Sequence, residues 1–191
     1  MTQRKAKLTL AALALVCTLP VAASYLAYYV WQPTGKVNYG ELIGPAPLPD
    51  ARLAGVGGQA AVERAELNGR WTLVYVGPGN CDATCEHALY ASRQSRLAQG
   101  EDMTRVGRLW VVTDDAVPSP RVLADQEELR VARADPSWIA ALPAAKEGGR
   151  LILVDPFGNA MMRFPPLADI KLVIKDLKRL LKYSPLGRSE S

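Results

Sequence analysis

The hydrophobic pattern of this chain changes character several times from one end to the other. Residues 8 to 31, Leu8 through Trp31, carry no charged side chain, and a run of that length crosses the roughly 30 Å hydrocarbon core of a bilayer as a helix. From Gln32 to about Pro49 the composition shifts to Pro33, Gly35, Gly40, Gly44, Pro45, Pro47 and Pro49, which predicts a semi-rigid tether. Short apolar runs follow at Trp71–Val76, Arg108–Thr113 and Arg150–Asp155, each with the length and composition of a buried strand. Gly57-Gly58 and Asn68-Gly69 predict turns ahead of the first run. Pro156-Phe157-Gly158-Asn159 predicts a hairpin into a partner strand at Ala160–Phe164.

Helical stretches alternate with these strands. Residues from Asp82 to about Gln99 favour helix, Ser137–Leu142 makes a short one, and Pro118–Ala134 reads as a polar segment with helical stretches. In Leu167–Tyr183 the spacing of Ile170, Val173, Ile174, Leu177, Leu180 and Leu181 gives a last helix one apolar face, with its lysines solvated opposite. The chain thus divides into a cytoplasmic N-terminus and anchor (1–31), a tether (32–49), an α/β domain (50–184) and a disordered tail (185–191).

Arg4, Lys5 and Lys7 precede the uncharged span, and Tyr25, Tyr28, Tyr29 and Trp31 crowd its far end like an interfacial aromatic belt. The positive-inside rule then leaves everything after Trp31 outside the cytoplasm: a single-pass protein of the inner membrane with a periplasmic domain. A signal peptide cleaved near Val21-Ala22-Ala23 is the competing reading. The apolar run continues past that site, which favours an uncleaved anchor. The net charge of +4 misleads. Without the three basic residues of 1–31, 20 Lys+Arg face 19 Asp+Glu, and a near-neutral domain without a basic stripe gives no case for nucleic-acid binding.

Cys17 lies inside the apolar span, and Thr18-Leu19-Pro20 does not make a lipobox. That leaves Cys81 and Cys85, placed where a buried strand delivers the chain through Gly77-Pro78-Gly79-Asn80 into a helix. Helix N-terminal N–H groups and the dipole favour thiolate over thiol there, while Asp82 and Glu86 oppose the shift. A lone close pair in an oxidising compartment is a staple, a redox couple or a metal site. A staple over so short a loop removes little chain entropy, which favours function. Cys81 and Cys85 are therefore the candidate catalytic residues, and also the candidate ligands for a soft metal. The order β-α-β-α-β-β-α, with redox-type cysteines at the first β-to-α junction, predicts an α/β fold of thioredoxin-like type.

These features resemble the Sco/SenC family, membrane-anchored thioredoxin-like proteins that help assemble the copper centre of cytochrome c oxidase. The resemblance runs through the anchor, Asn38-Tyr39-Gly40-Glu41-Leu42, the Leu67–Val76 approach, the C-x-x-x-C motif and the Leu153–Gly158 hairpin. It implies copper bound by both cysteines and a loop histidine. The corresponding loop here, Pro143–Arg150, has Glu147 or Gly148 near that place and no histidine. The chain's single histidine, His87, points about 200° away from Cys85 on a regular helix and reads as solvent-facing. Met161 and Met162 could offer thioethers but read as packing residues.

Three functions stay open. The first is a thiol–disulfide oxidoreductase that keeps a partner's cysteines or copper site reduced during oxidase assembly. The second is a Cu(I) metallochaperone using the two thiolates. The third is a scaffold with an inert disulfide. The expected partners are a cytochrome c oxidase subunit or another copper or thiol protein, and the membrane itself. The expected cofactor, if the thiolates hold one, is copper.

Overall fold

A computed structural model describes residues 3–29, 38–142 and 149–186, and the chain splits into two compact units, 1–37 and 38–191. The first holds α1 (Gln3–Tyr29), an uninterrupted helix with Pro20 inside it. It is long and apolar enough to cross a membrane. Stacked Tyr25 and Tyr29, with Tyr28 edge-on to Tyr29, end it. Val30 and Trp31, which the sequence places at the end of the span, lie outside the described residues.

The second unit is built on β1 (Glu41–Pro47), β2 (Arg52–Leu53), β3 (Val62–Glu63), β4 (Trp71–Gly77), α2 (Ala83–Leu97), β5 (Val106–Val112), α3 (Pro120–Leu123), β6 (Leu129–Arg133), α4 (Pro136–Ala141), β7 (Leu151–Val154), β8 (Asn159–Arg163) and α5 (Ile170–Tyr183). Six strands make one sheet in the order β1-β8-β7-β4-β5-β6. β4, β5 and β6 run parallel, and β7, β8 and β1 are added antiparallel. A parallel strand pair needs a crossover, and α2 supplies it between β4 and β5. Side chains of β4 alternate between two cores. Trp71, Leu73 and Tyr75 pack under α2 and α5, whereas Val74 and Val76 face Leu67, Trp138 and Leu142. Both faces are covered, which is why β4 reads as an unbroken apolar run.

Two sequence expectations are corrected here. Residues 41–47, assigned to the tether, form edge strand β1, and Leu48 beyond it is buried. Proline lacks an N–H and is tolerated only at an edge, so Pro45 and Pro47 hid a strand that sits there. Its register shifts between Leu42 and Ala46, where Gly44-Pro45 falls. The second compact unit therefore begins at Asn38, ahead of the expected start at residue 50. Likewise the polar segment 118–134 contains β6, whose apolar residues are bracketed by Arg130 and Arg133. Those arginines bind outward, Arg130 to Glu66 and the Ala60 and Ala61 carbonyls, Arg133 to the Ala116 carbonyl.

Two buried arginines lock the helices down. Arg105 donates to the Leu181 carbonyl in the last turn of α5 and to the Ser184 and Leu186 carbonyls beyond it, capping an orphan acceptor of that turn. Ser184–Leu186, expected in or beside the disordered tail, is thereby held. Residues 187–191 lie outside the described residues. Arg108 spans from β5 to Ser92 Oγ, the Leu89 and Glu127 carbonyls and Gln126 Oε1. Burial, with Arg93 and Arg96 nearby, lowers its pKa to about 10, so it stays charged at neutral pH.

Candidate thiol–disulfide site

Cys81 and Cys85 form a disulfide, with Cα atoms 5.2 Å apart. Strand β4 ends at Gly77 and α2 begins at Ala83, so the pair stands at the C-terminal edge of the parallel strands, where open α/β sheets place their reactive groups. Cys85 has no exposed surface and belongs to the core under α2. Cys81 is partly exposed. Any external sulfur therefore reaches Cys81 first. The third cysteine, Cys17, is on α1.

Asp82 is the N-cap of α2, its carboxylate accepting the Cys85 N–H at 2.8 Å. A cap of this kind contributes about 1 kcal/mol to the helix. It also places a negative charge between the two sulfurs in sequence and occupies a backbone donor that would otherwise be free for a thiolate. The helix end is thus less favourable to thiolate than the bare dipole suggests. Glu86, the other acid near the pair, is held by an ion pair with Arg121. The influence of Asp82 extends to Tyr75 on β4. Burial first, and the Asp82 charge second, push the Tyr75 phenol up to about 12.

The turn before Cys81 is held from a distance. Asp114, after β5, accepts the Gly79 N–H at 2.8 Å and the Ala116 N–H at 3.3 Å through one oxygen. A Cβ on Gly79 would lie 2.4 Å from the Ala116 carbonyl oxygen, and one on Gly77 would lie 2.6 Å from the Tyr75 hydroxyl. Both glycines are required by close approach. Asp114 and Tyr75 are supporting residues that the sequence did not point to, and Asp82, expected there only as a charge opposing the thiolate, is also the N-cap. Only Asp82 had a legible signal, an aspartate three positions ahead of a helical N–H.

His87 departs from expectation. It is half-buried rather than solvent-facing, with Nε2 2.9 Å from the Ala168 carbonyl ahead of α5. A carbonyl only accepts, so this bond requires the proton on Nε2, and that nitrogen is unavailable to a metal. Met162 is fully buried against Gly40, and Met161 packs partly buried on the same core. Among the described residues no group of three or more His, Cys, Asp or Glu side chains could hold a metal ion. Of the loop Pro143–Arg150, residues 143–148, with Glu147 and Gly148, lie outside the described residues. Gly149 is described, and its Cβ position is 3.0 Å from Thr84 Cγ2. That loop therefore ends against the cysteine motif.

A family model described as transmembrane-like, thioredoxin-like, C-terminal domain matches residues 71–184. Among solved structures the chain is similar to copper-bound ScoI of Bradyrhizobium japonicum, at 21% identity and TM-score 0.53 over 73% of this chain and 99% of that one. It is similar to apo Sco1 of Thermus thermophilus, at 17% identity and TM-score 0.60 over 76% and 99%. The thioredoxin domain of a thiol-disulfide oxidoreductase from Bacteroides vulgatus is a third, at 13% identity and TM-score 0.51 over 73% and 99%. At such identities the likeness establishes a thioredoxin-like fold. No curated protein matches the chain significantly.

Proposed function

We propose a thiol–disulfide exchange function for this chain, which belongs to the transmembrane-like, thioredoxin-like, C-terminal domain family. One observation carries the proposal: a Cys81–Cys85 disulfide at the β4–α2 junction, with one sulfur reachable and the other sealed. In the reduced protein the Cys81 thiolate attacks a partner disulfide and forms a mixed disulfide, releasing one partner thiolate. Cys85 then loses its proton and attacks Cys81 Sγ. That closes the intramolecular bond and frees the second partner thiolate. Two electrons pass to the partner, and both of its sulfurs leave as thiols once protonated.

The work proposed for this exchange is Sco-like: keeping the cysteines of a cytochrome c oxidase subunit, or of another copper protein, reduced and ready for metal. Anchorage by α1 in the inner membrane, with residues 32–37 as linker and the domain in the periplasm, suits a disulfide that persists in an oxidising compartment. Sco proteins and a thiol-disulfide oxidoreductase stand side by side among the structural neighbours, which supports a redox or copper-assembly role.

A second reading treats Cu(I) as cargo. Two thiolates suit a soft, low-coordinate ion. His87 Nε2 is taken by the Ala168 carbonyl, which leaves only Nδ1 as a donor on that ring. The deciding experiment measures the disulfide potential of the full chain in detergent beside its copper content after anaerobic Cu(I) loading. A potential between about −180 and −270 mV with no bound copper supports exchange. Stoichiometric Cu(I) that Cys81→Ser abolishes supports the chaperone. A potential below about −300 mV without copper points to an inert disulfide.

A further inference from the structure

Helix α5 carries a charge pattern that neither the core nor the cysteine site uses. Lys171, Lys175, Lys178 and Lys182 are spaced four, three and four residues apart, so they form one stripe along the helix. All four are exposed, while Val173, Leu177 and Leu181 fill the core on the opposite side. Asp176 is the helix's single acidic residue. It is buried and accepts the Gly40 N–H at 2.8 Å. Asp169, the N-cap, is bound to the Lys171 N–H. The outer face of α5 is therefore cationic without interruption.

A second observation says where this face operates. The chain enters the domain at Asn38, and three consecutive residues there fasten onto α5 and its cap. Arg179 Nη1 donates to Asn38 Oδ1 at 3.4 Å, the Asp169 N–H donates to the Tyr39 hydroxyl at 3.0 Å, and Gly40 binds Asp176. Between Tyr29, the last described residue of α1, and Asn38 the covalent chain can span at most about 30 Å. The lysine stripe thus sits on the element to which the strand arriving from the hydrophobic helix is tied.

We infer that the Lys171-Lys175-Lys178-Lys182 stripe docks the domain on anionic lipid headgroups of the membrane that holds α1. Each surface lysine close to an anionic bilayer adds to the attraction, which fades within a Debye length. A covalent leash this short keeps the local lipid concentration high, so weak individual contacts act together. The inference rests on the anchor reading of α1 and adds an orientation: docking by α5 holds the domain close to the bilayer surface.

The test uses the full chain in lipid nanodiscs of POPC alone and of POPC with about one-third POPG, with lysine reactivity read by amine-labelling mass spectrometry. The four stripe lysines should label at least about threefold more slowly in POPG discs, and about 0.5 M salt should erase the difference. In K175Q/K178Q, Lys171 and Lys182 should return toward their POPC rates. A chain that elutes apart from the discs refutes the anchor and this proposal with it. A chain that stays in the discs yet labels identically in both lipids refutes the stripe alone.

Discussion

The turns at Asp155–Asn159 and Gly77–Asp82 stand at opposite ends of the same sheet, and both combine glycine, proline and asparagine. Their N–H groups are held in opposite ways. Asp155 closes its own turn, Oδ1 accepting the Phe157 and Asn159 N–H groups at 2.9 and 2.8 Å and its carbonyl accepting Gly158. The acceptors of these three N–H groups lie within five consecutive positions, while the Pro156, Phe157 and Gly158 carbonyls accept from Gly69, Arg64 and Leu48. The turn before Cys81 instead depends on Asp114 and Ala116, more than thirty positions downstream. A turn closed by its own aspartate needs no second loop to hold its N–H groups. A turn that presents a reactive sulfur is positioned by a second loop, and the fidelity of the site depends on both.

The largest expected contrast is chemical. Cys81→Ser should abolish exchange outright. Cys85→Ser should stop turnover while accumulating a mixed disulfide with a model substrate, because Cys81 still attacks and nothing resolves it. Asp155→Ala at the other turn should leave the exchange rate within about twofold. Stopped-flow assays with a small disulfide and mass spectrometry of trapped adducts check this. A trapped adduct on Cys85 in Cys81→Ser would reverse the assigned order of the sulfurs.

Next come the glycines. Gly79→Ala drives a Cβ into the backbone carbonyl of Ala116, an overpacking that should cost about 2–3 kcal/mol and slow exchange together with it. Gly158→Ala meets only the tip of the Arg64 side chain but forces a residue with φ +82°, a strain of about 1 kcal/mol with exchange untouched. Urea denaturation of both variants ranks them. Equal losses at the two positions would mean that the Ala116 loop yields.

The difference between the turns also explains what was legible. Apolar runs, the Gly57-Gly58 turn, the 156–159 hairpin and the amphipathic α5 all express themselves within a few residues, and they appear in the fold near where the pattern put them. Cys81 and Cys85 were legible because strand, turn and helix follow each other locally. What escaped is non-local. β1 is a strand because β8 offers it an edge, and β6 because β5 does, neither of which Gly44-Pro45 or Arg130 and Arg133 advertise. His87 looked solvated because its acceptor, the Ala168 carbonyl, lies 81 residues away.

Tyr75 gives a pH test that only the site end should show. Its folded-state pKa of about 12 lies above the ordinary 10.0, so the folded protein favours the neutral phenol. Stability from this group is complete below pH 10 and is lost as pH rises from 10 to 12, by an amount of the order of 2 kcal/mol. Tyr75→Phe should flatten that part of the alkaline limb, read by thermal melts between pH 9 and 12. An unchanged slope would mean that the phenol ionises freely in the folded state.

The smallest and most direct test exchanges the two carboxylates for alanine. Asp155→Ala removes acceptors from the Phe157 and Asn159 N–H groups and from the Asn159 side chain, and the exposed ones turn to water, so the loss should be about 1 kcal/mol. Asp114→Ala removes acceptors from only two N–H groups, those of Gly79 and Ala116, for a similar loss of about 1 kcal/mol. By bond count Asp155 matters more. By function the order should invert, because releasing Gly79 lets the Cys81 loop move relative to the fixed Cys85, and small displacements of a reacting atom cost rate steeply. Exchange should therefore slow several-fold in Asp114→Ala and hold in Asp155→Ala, with Asp114→Asn recovering part of the rate because its amide oxygen still accepts. Rates that instead follow stability in all three variants would reduce Asp114 to a structural residue, and the two turns would then differ in chemistry alone.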